Sequence, residues 1–101
     1  MELWEKYEEE LQERYAERKE SELEKASEYI DEQLISWGEE YGERIEHLQG
    51  LHGAAKDNAV KKAVKEEKAR RMQEAEKEID AECEELISKE VEEYKAELEK
   101  N

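Results

Sequence analysis

The residues of this chain best equipped for chemistry are two histidines, one cysteine and a long series of glutamates. His47 and His52 stand five apart with Glu43 and Glu46 nearby, so a metal site is the first chemistry to weigh. The spacing argues against it. Two ligands on one helical face need positions three or four apart, and the Glu-x-x-His pair of carboxylate-bridged bundles is missing. No cysteine falls near the histidines either, and both read as solvated turn residues. Cys83 has no cation adjacent in sequence that would lower its pKa, and it reads as a small core residue. The paired glutamates lie along exposed faces where nothing drives their pKa values apart, so they do not make an acid–base dyad. There is no phosphate loop, nucleophile elbow or zinc spacing. The expectation is a protein that is not an enzyme, with no catalytic residue, no metal and no cofactor.

What the residues do specify is helix. Trp4, Tyr15, Ala26, Trp37 and Leu48 are eleven apart, and Ile30, Leu34, Tyr41 and Ile45 complete a 4-4-3 spacing through the first half. Eleven residues in three turns is about 3.67 per turn, a seam that runs nearly straight or drifts right-handed. Composition alone would suggest disorder, since Leu, Ile and Val number only 16 of 101 residues and the formal charge is -15. The periodicity overrides that reading, because a disordered segment has no reason to place Trp and Tyr at helical intervals. With no proline and 49% charged residues, the chain reads as all-α, a coiled-coil-like pair of long helices.

Gly50-Leu51-His52-Gly53 divides two arms of equal length. A single helical-hairpin domain over residues 1–101 is expected, with a helix over about 2–49, a turn at 50–53 and a second helix over about 54–99. Gly50 suits a left-handed C-terminal cap and Asp57 an N-cap. In an antiparallel hairpin turning near residue 51, facing residues have numbers summing to about 102. Tyr7 then meets Tyr94, Leu11 meets Val91, and Trp37 and Tyr41 meet Ala59, Val60, Ala63 and Val64, large against small. Lys19 opposite Cys83 and Leu34 opposite Lys68 are poor matches, places for long stems to reach past the seam. Ser36-Trp37-Gly38-Glu39 resembles a capping box, and Gly38 and Gly42 each weaken a helix by about 1 kcal/mol. The apolar spacing keeps its phase across them, so a continuous first helix is the favoured reading.

Charge bears on partners. Residues 56 to 71 carry seven bases against three acids and face Asp31, Glu32, Glu39 and Glu40, whereas both strands of the open end are strongly acidic. Within the arms, Glu66 to Arg70 and Glu67 to Arg71 are favourable i,i+4 pairs. Excess acid repels phosphate backbones and anionic membranes, so direct nucleic-acid or membrane binding is not expected, and a partner protein should present a basic surface. The first residues lack the apolar run of a signal peptide, no stretch is long enough to span a membrane, and the lone Cys83 suits a reducing compartment, which together point to a cytoplasmic protein.

Trp37, Tyr15 and Tyr41 read as core. Trp4, Tyr7, Tyr29, Tyr94 and Leu98 sit at the open end or off the seam and are the candidate partner-binding residues, since Trp and Tyr dominate binding hot spots. Leu3, Tyr29, Ile35 and Leu51 would stay half wet in one hairpin, which favours a homodimer packed as a four-helix bundle. A protein–protein interaction module, adaptor or structural coiled coil, is the leading expectation. In size and charge the chain also resembles small acidic phage-encoded DNA mimics and anti-CRISPR proteins, a resemblance that implies an inhibitor occupying a basic nucleic-acid-binding groove. In period alone it resembles the hendecad stalk subunits of rotary ATPases, which implies a right-handed helical pair.

Overall fold

Without proline, no backbone donor is lost along either arm, and the helices run unbroken. The computed structural model describes residues 2–100. It contains α1, Leu3–Gln49, and α2, Gly53–Lys100, in an all-α, hairpin-like arrangement. At the start of α1 the Glu2 carbonyl accepts hydrogen bonds from the amides of Glu5 (3.1 Å) and Lys6 (3.3 Å). Ser36 causes no break, so the favoured continuous helix is the observed one.

The turn is made by glycine. Gly50 takes φ 67° and its amide donates to the Glu46 carbonyl at 3.1 Å, the expected left-handed cap that satisfies an otherwise orphaned carbonyl. Gly53, φ 60°, then leads into α2. Asp57 is not the N-cap; it lies inside α2, because the positive φ of Gly53 lets helical bonding begin from His52, whose carbonyl accepts from the Lys56 amide. Gly50→Ala is expected to lower stability by about 1 kcal/mol, since a Cβ there meets nothing within 4 Å and the cost is backbone strain alone. Urea denaturation checks this, and an unchanged midpoint would remove the left-handed cap from the account.

Packing divides the chain into two compact units, one formed by residues up to Glu24 with those from Glu76 onward, the other by Lys25–Ala75. We call them the acidic unit and the turn unit. In each, α1 and α2 lie antiparallel near the expected register. In the acidic unit Tyr7 stacks on Tyr94 with ring centroids 4.4 Å apart, and their numbers sum to 101. Its core is Leu11, Ile87 and Val91, with Trp4, Tyr7 and Tyr15 packed against it and Cys83 buried further along. The Lys19 stem reaches past the seam to Asp80, 3.4 Å from its carboxylate.

In the turn unit Ile30, Leu34 and Ile45 are buried, and so are Gly38 and Gly42. A Cβ added at Gly38 would stand 3.1 Å from Val64 Cγ2, and one at Gly42 3.2 Å from both Val60 Cγ2 and Lys56 Cε. Gly38 and Gly42 therefore lie directly against Val64 and Val60. Trp37 and Tyr41 are half-buried and stack on each other at 5.4 Å. The eleven-residue series fails at its last member. Leu48 is 71% exposed, because at the turn α2 offers only exposed Ala54 and Ala55 at its level.

Charge pairing follows the fold. Lys68 meets Asp31 at 2.8 Å, Arg71 donates to Gln33 at 3.3 Å, and Lys56 pairs with Glu46, all across the turn unit. Along α2, Glu67 accepts from Arg71 as expected, but Arg70 pairs with Glu67 and Glu74 rather than Glu66. Such exposed pairs each contribute only about 0 to 1 kcal/mol, so they select register more than they stabilise.

Candidate protein-interaction surface

The two units divide the charge very unequally. The acidic unit holds 21 acids and 8 bases, a net -13, whereas the turn unit holds 11 and 9, a net -2. Eight cations cannot neutralise 21 carboxylates, so the acidic unit presents a strongly negative surface whatever its local pairing.

Four of the five residues expected to bind a partner lie in that unit. Trp4 and Leu98 line a shallow groove of about 360 Å³ with Glu2, Lys95 and Glu99. The Lys95 ammonium sits 3.8 Å from the centroid of the Trp4 ring, while the Trp4 indole N–H donates to the Glu2 carboxylate. The indole thus already holds one cation on its face, a geometry worth about 0.5–1 kcal/mol at an exposed site. Leu98 is 38% exposed and the nearby Leu3 64%. Tyr7 and Tyr94 are half-buried by their mutual stacking. Tyr29, 62% exposed, lies in the turn unit and does not join them.

Deeper in the acidic unit the Tyr15 hydroxyl donates to Glu90 at 3.4 Å. Burial and then the Glu90 carboxylate raise its pKa above the ordinary phenol value, so it remains a neutral donor. Burial, and after it the Glu22 carboxylate, likewise push the Cys83 thiol up, which keeps it protonated and unreactive, as suits a core residue. Among the described residues no group of three or more His, Cys, Asp or Glu is placed to hold a metal ion, and no helix is long and apolar enough to cross a membrane. His47 is exposed, and His52 Nδ1 lies 3.2 Å from Glu46 Oε1.

No protein-family model, no curated protein and no solved structure matches this chain. Its surface chemistry is therefore the whole basis for a functional reading.

A second surface escaped the sequence reading. In the turn unit an open groove of about 520 Å³ runs beside Gly38 and Gly42, floored by Leu34, Val60 and Val64 and edged by Ile35, Glu39 and Lys61. The signal was present in the Gly-x-x-x-Gly spacing, which places both glycines opposite Val60 and Val64 at a sum of 102. Lys95 over Trp4 carried no such signal.

Glu46 closes the turn by accepting from Lys56, and that hydrogen bond, with the charge of Lys56 behind it, holds the Glu46 carboxyl below its ordinary value of 4.5. A carboxyl whose pKa is lower in the folded than in the unfolded chain stabilises the fold above its unfolded pKa, and the contribution disappears as pH falls through the folded one. Glu46→Gln is accordingly expected to be less stable than the parent at neutral pH, with the difference closing under acid. Urea midpoints of both proteins across pH test this. A difference that persists below the carboxylate range would show that Glu46 acts through packing.

Proposed function

We propose that this chain is a non-catalytic protein–protein interaction module of the cytosol, whose acidic unit engages a basic protein surface. The observation that carries the reading is the charge partition, -13 in one unit against -2 in the other. Folding a like-charged unit costs self-repulsion, and a basic partner relieves it. The apolar anchors would be Trp4 and Leu98 with the stacked Tyr7 and Tyr94 behind them; Tyr29, in the turn unit, would serve a separate contact. Self-association into a dimeric four-helix bundle belongs to the same reading, since two helices alone leave Leu3, Tyr29 and Ile35 more than 60% exposed.

The test is a titration with poly-L-lysine, followed by the fluorescence of Trp4 in a Trp37→Phe background. Binding is expected to weaken by tenfold or more as salt rises from low to about 0.5 M, where the screening length drops to a few ångströms. Binding that ignores salt would count against the acidic surface. A second reading, an inhibitor that occupies the basic groove of a nucleic-acid-binding protein, draws on the same negative unit. It differs in one outcome: duplex DNA would compete for a partner captured from lysate in the inhibitor reading and leave it bound in the adaptor reading.

A further inference from the structure

We propose that the groove beside Gly38 and Gly42 is the docking site for a second, two-fold-related copy of this chain. The inference rests on the self-association in the reading above and gives it a place. The groove is open, and its α1 edge carries Ile35, a 66% exposed aliphatic side chain that one hairpin leaves without cover.

The turn unit's charges are arranged to fit their own copy. Its α1 stretch, residues 25–49, carries seven acids and two bases, a net -5, and its α2 stretch, residues 53–75, four acids and seven bases, a net +3. In a ring of four helices the order α1, α2, α1, α2 alternates negative and positive all round, so each interface joins opposite signs. The acidic unit, at -13 in every copy, has no such fit to itself. The two-fold axis of such a ring runs parallel to the helices and sets Ile35 of one copy level with Ile35 of the other, an aliphatic pair across the two grooves. It also leaves Glu39 within about one helical turn of the other copy's Lys61. Roughly 25 residues of paired helix offer a face of about 700 Å² per copy, which reaches the lower part of the range for specific interfaces.

Sedimentation velocity of the full chain across concentration tests this, with circular dichroism verifying that each variant stays helical. The parent is expected to pass from monomer to dimer as concentration rises, and Ile35→Glu to raise the dimer dissociation constant by tenfold or more. Glu39→Lys and Lys61→Glu each set like charges against one another across both halves of the interface and weaken the dimer, whereas the double variant restores it to within about threefold of the parent. A parent that remains monomeric throughout overturns the proposal. So does a dimer indifferent to Ile35→Glu, or a double variant as weak as the singles. Poly-L-lysine binding by the Ile35→Glu protein reports separately on the acidic unit, so failure of the dimer and failure of the interaction reading are told apart.

Discussion

Leu11→Ala is expected to lower the unfolding free energy by about 2–5 kcal/mol, the range for emptying a fully buried leucine site. Leu11 is 1% exposed and packs on Ile87 and Val91, with Trp4, Tyr7 and Tyr15 closing over the cluster. Small domains are held by only about 5–15 kcal/mol, so the loss removes a large share of the total. It should lower the melting temperature by more than about 10 °C. Leu48 is the control. The eleven-residue series ranks it with the seam, yet at 71% exposure its replacement by alanine should change stability by less than about 0.5 kcal/mol. Thermal melts of the two variants decide the matter: equal effects would mean the seam is as dry at the turn as at Leu11, contrary to the observed burial.

Gly42→Val is expected to destabilise by about 1–2 kcal/mol, although propensity alone points the other way. Replacing an interior helical glycine with valine recovers about 0.3–0.5 kcal/mol. Against that, the new Cβ would already stand 3.2 Å from Val60 Cγ2 and from Lys56 Cε, and the two valine methyls extend further. The lysine tail can swing aside, but Val60 is anchored on α2, so α1 and α2 must separate or Val60 must leave its rotamer. Overpacking of this kind costs about 1–3 kcal/mol, more than propensity returns. A Gly42→Val/Val60→Ala double variant, which makes room for the new side chain, should recover part of the loss. Urea midpoints that rise for Gly42→Val would show that the helices are farther apart than the observed contact.

The two helices, their turn and their register were all legible in the sequence, because each has a local or arithmetic signature. Periodicity marks the helices, Gly50 and Gly53 mark the turn, and the turn position dictates which residues face one another. The aromatic end was legible for the same reason: Tyr7 falls opposite Tyr94 by number and stacks on it in the structure. Harder to see was the role of Gly38 and Gly42. Read along one helix they are defects, and only the valines of the opposite helix make them points of close approach. Arg70 likewise chose Glu67 and Glu74 over Glu66, a choice among near-equal neighbours that side-chain rotamers settle.

By itself, then, the sequence determined that this protein is two antiparallel helices with an acid-rich open end, since helical period, glycine breaks and charge order are properties of the chain read in one dimension. Tertiary structure decided which seam residues are dry, that Gly38 and Gly42 lie against the valines of α2, and that Lys95 covers Trp4. Those outcomes depend on the distance between α1 and α2 and on where each helix ends, and neither quantity is written in the spacing of residues along one helix.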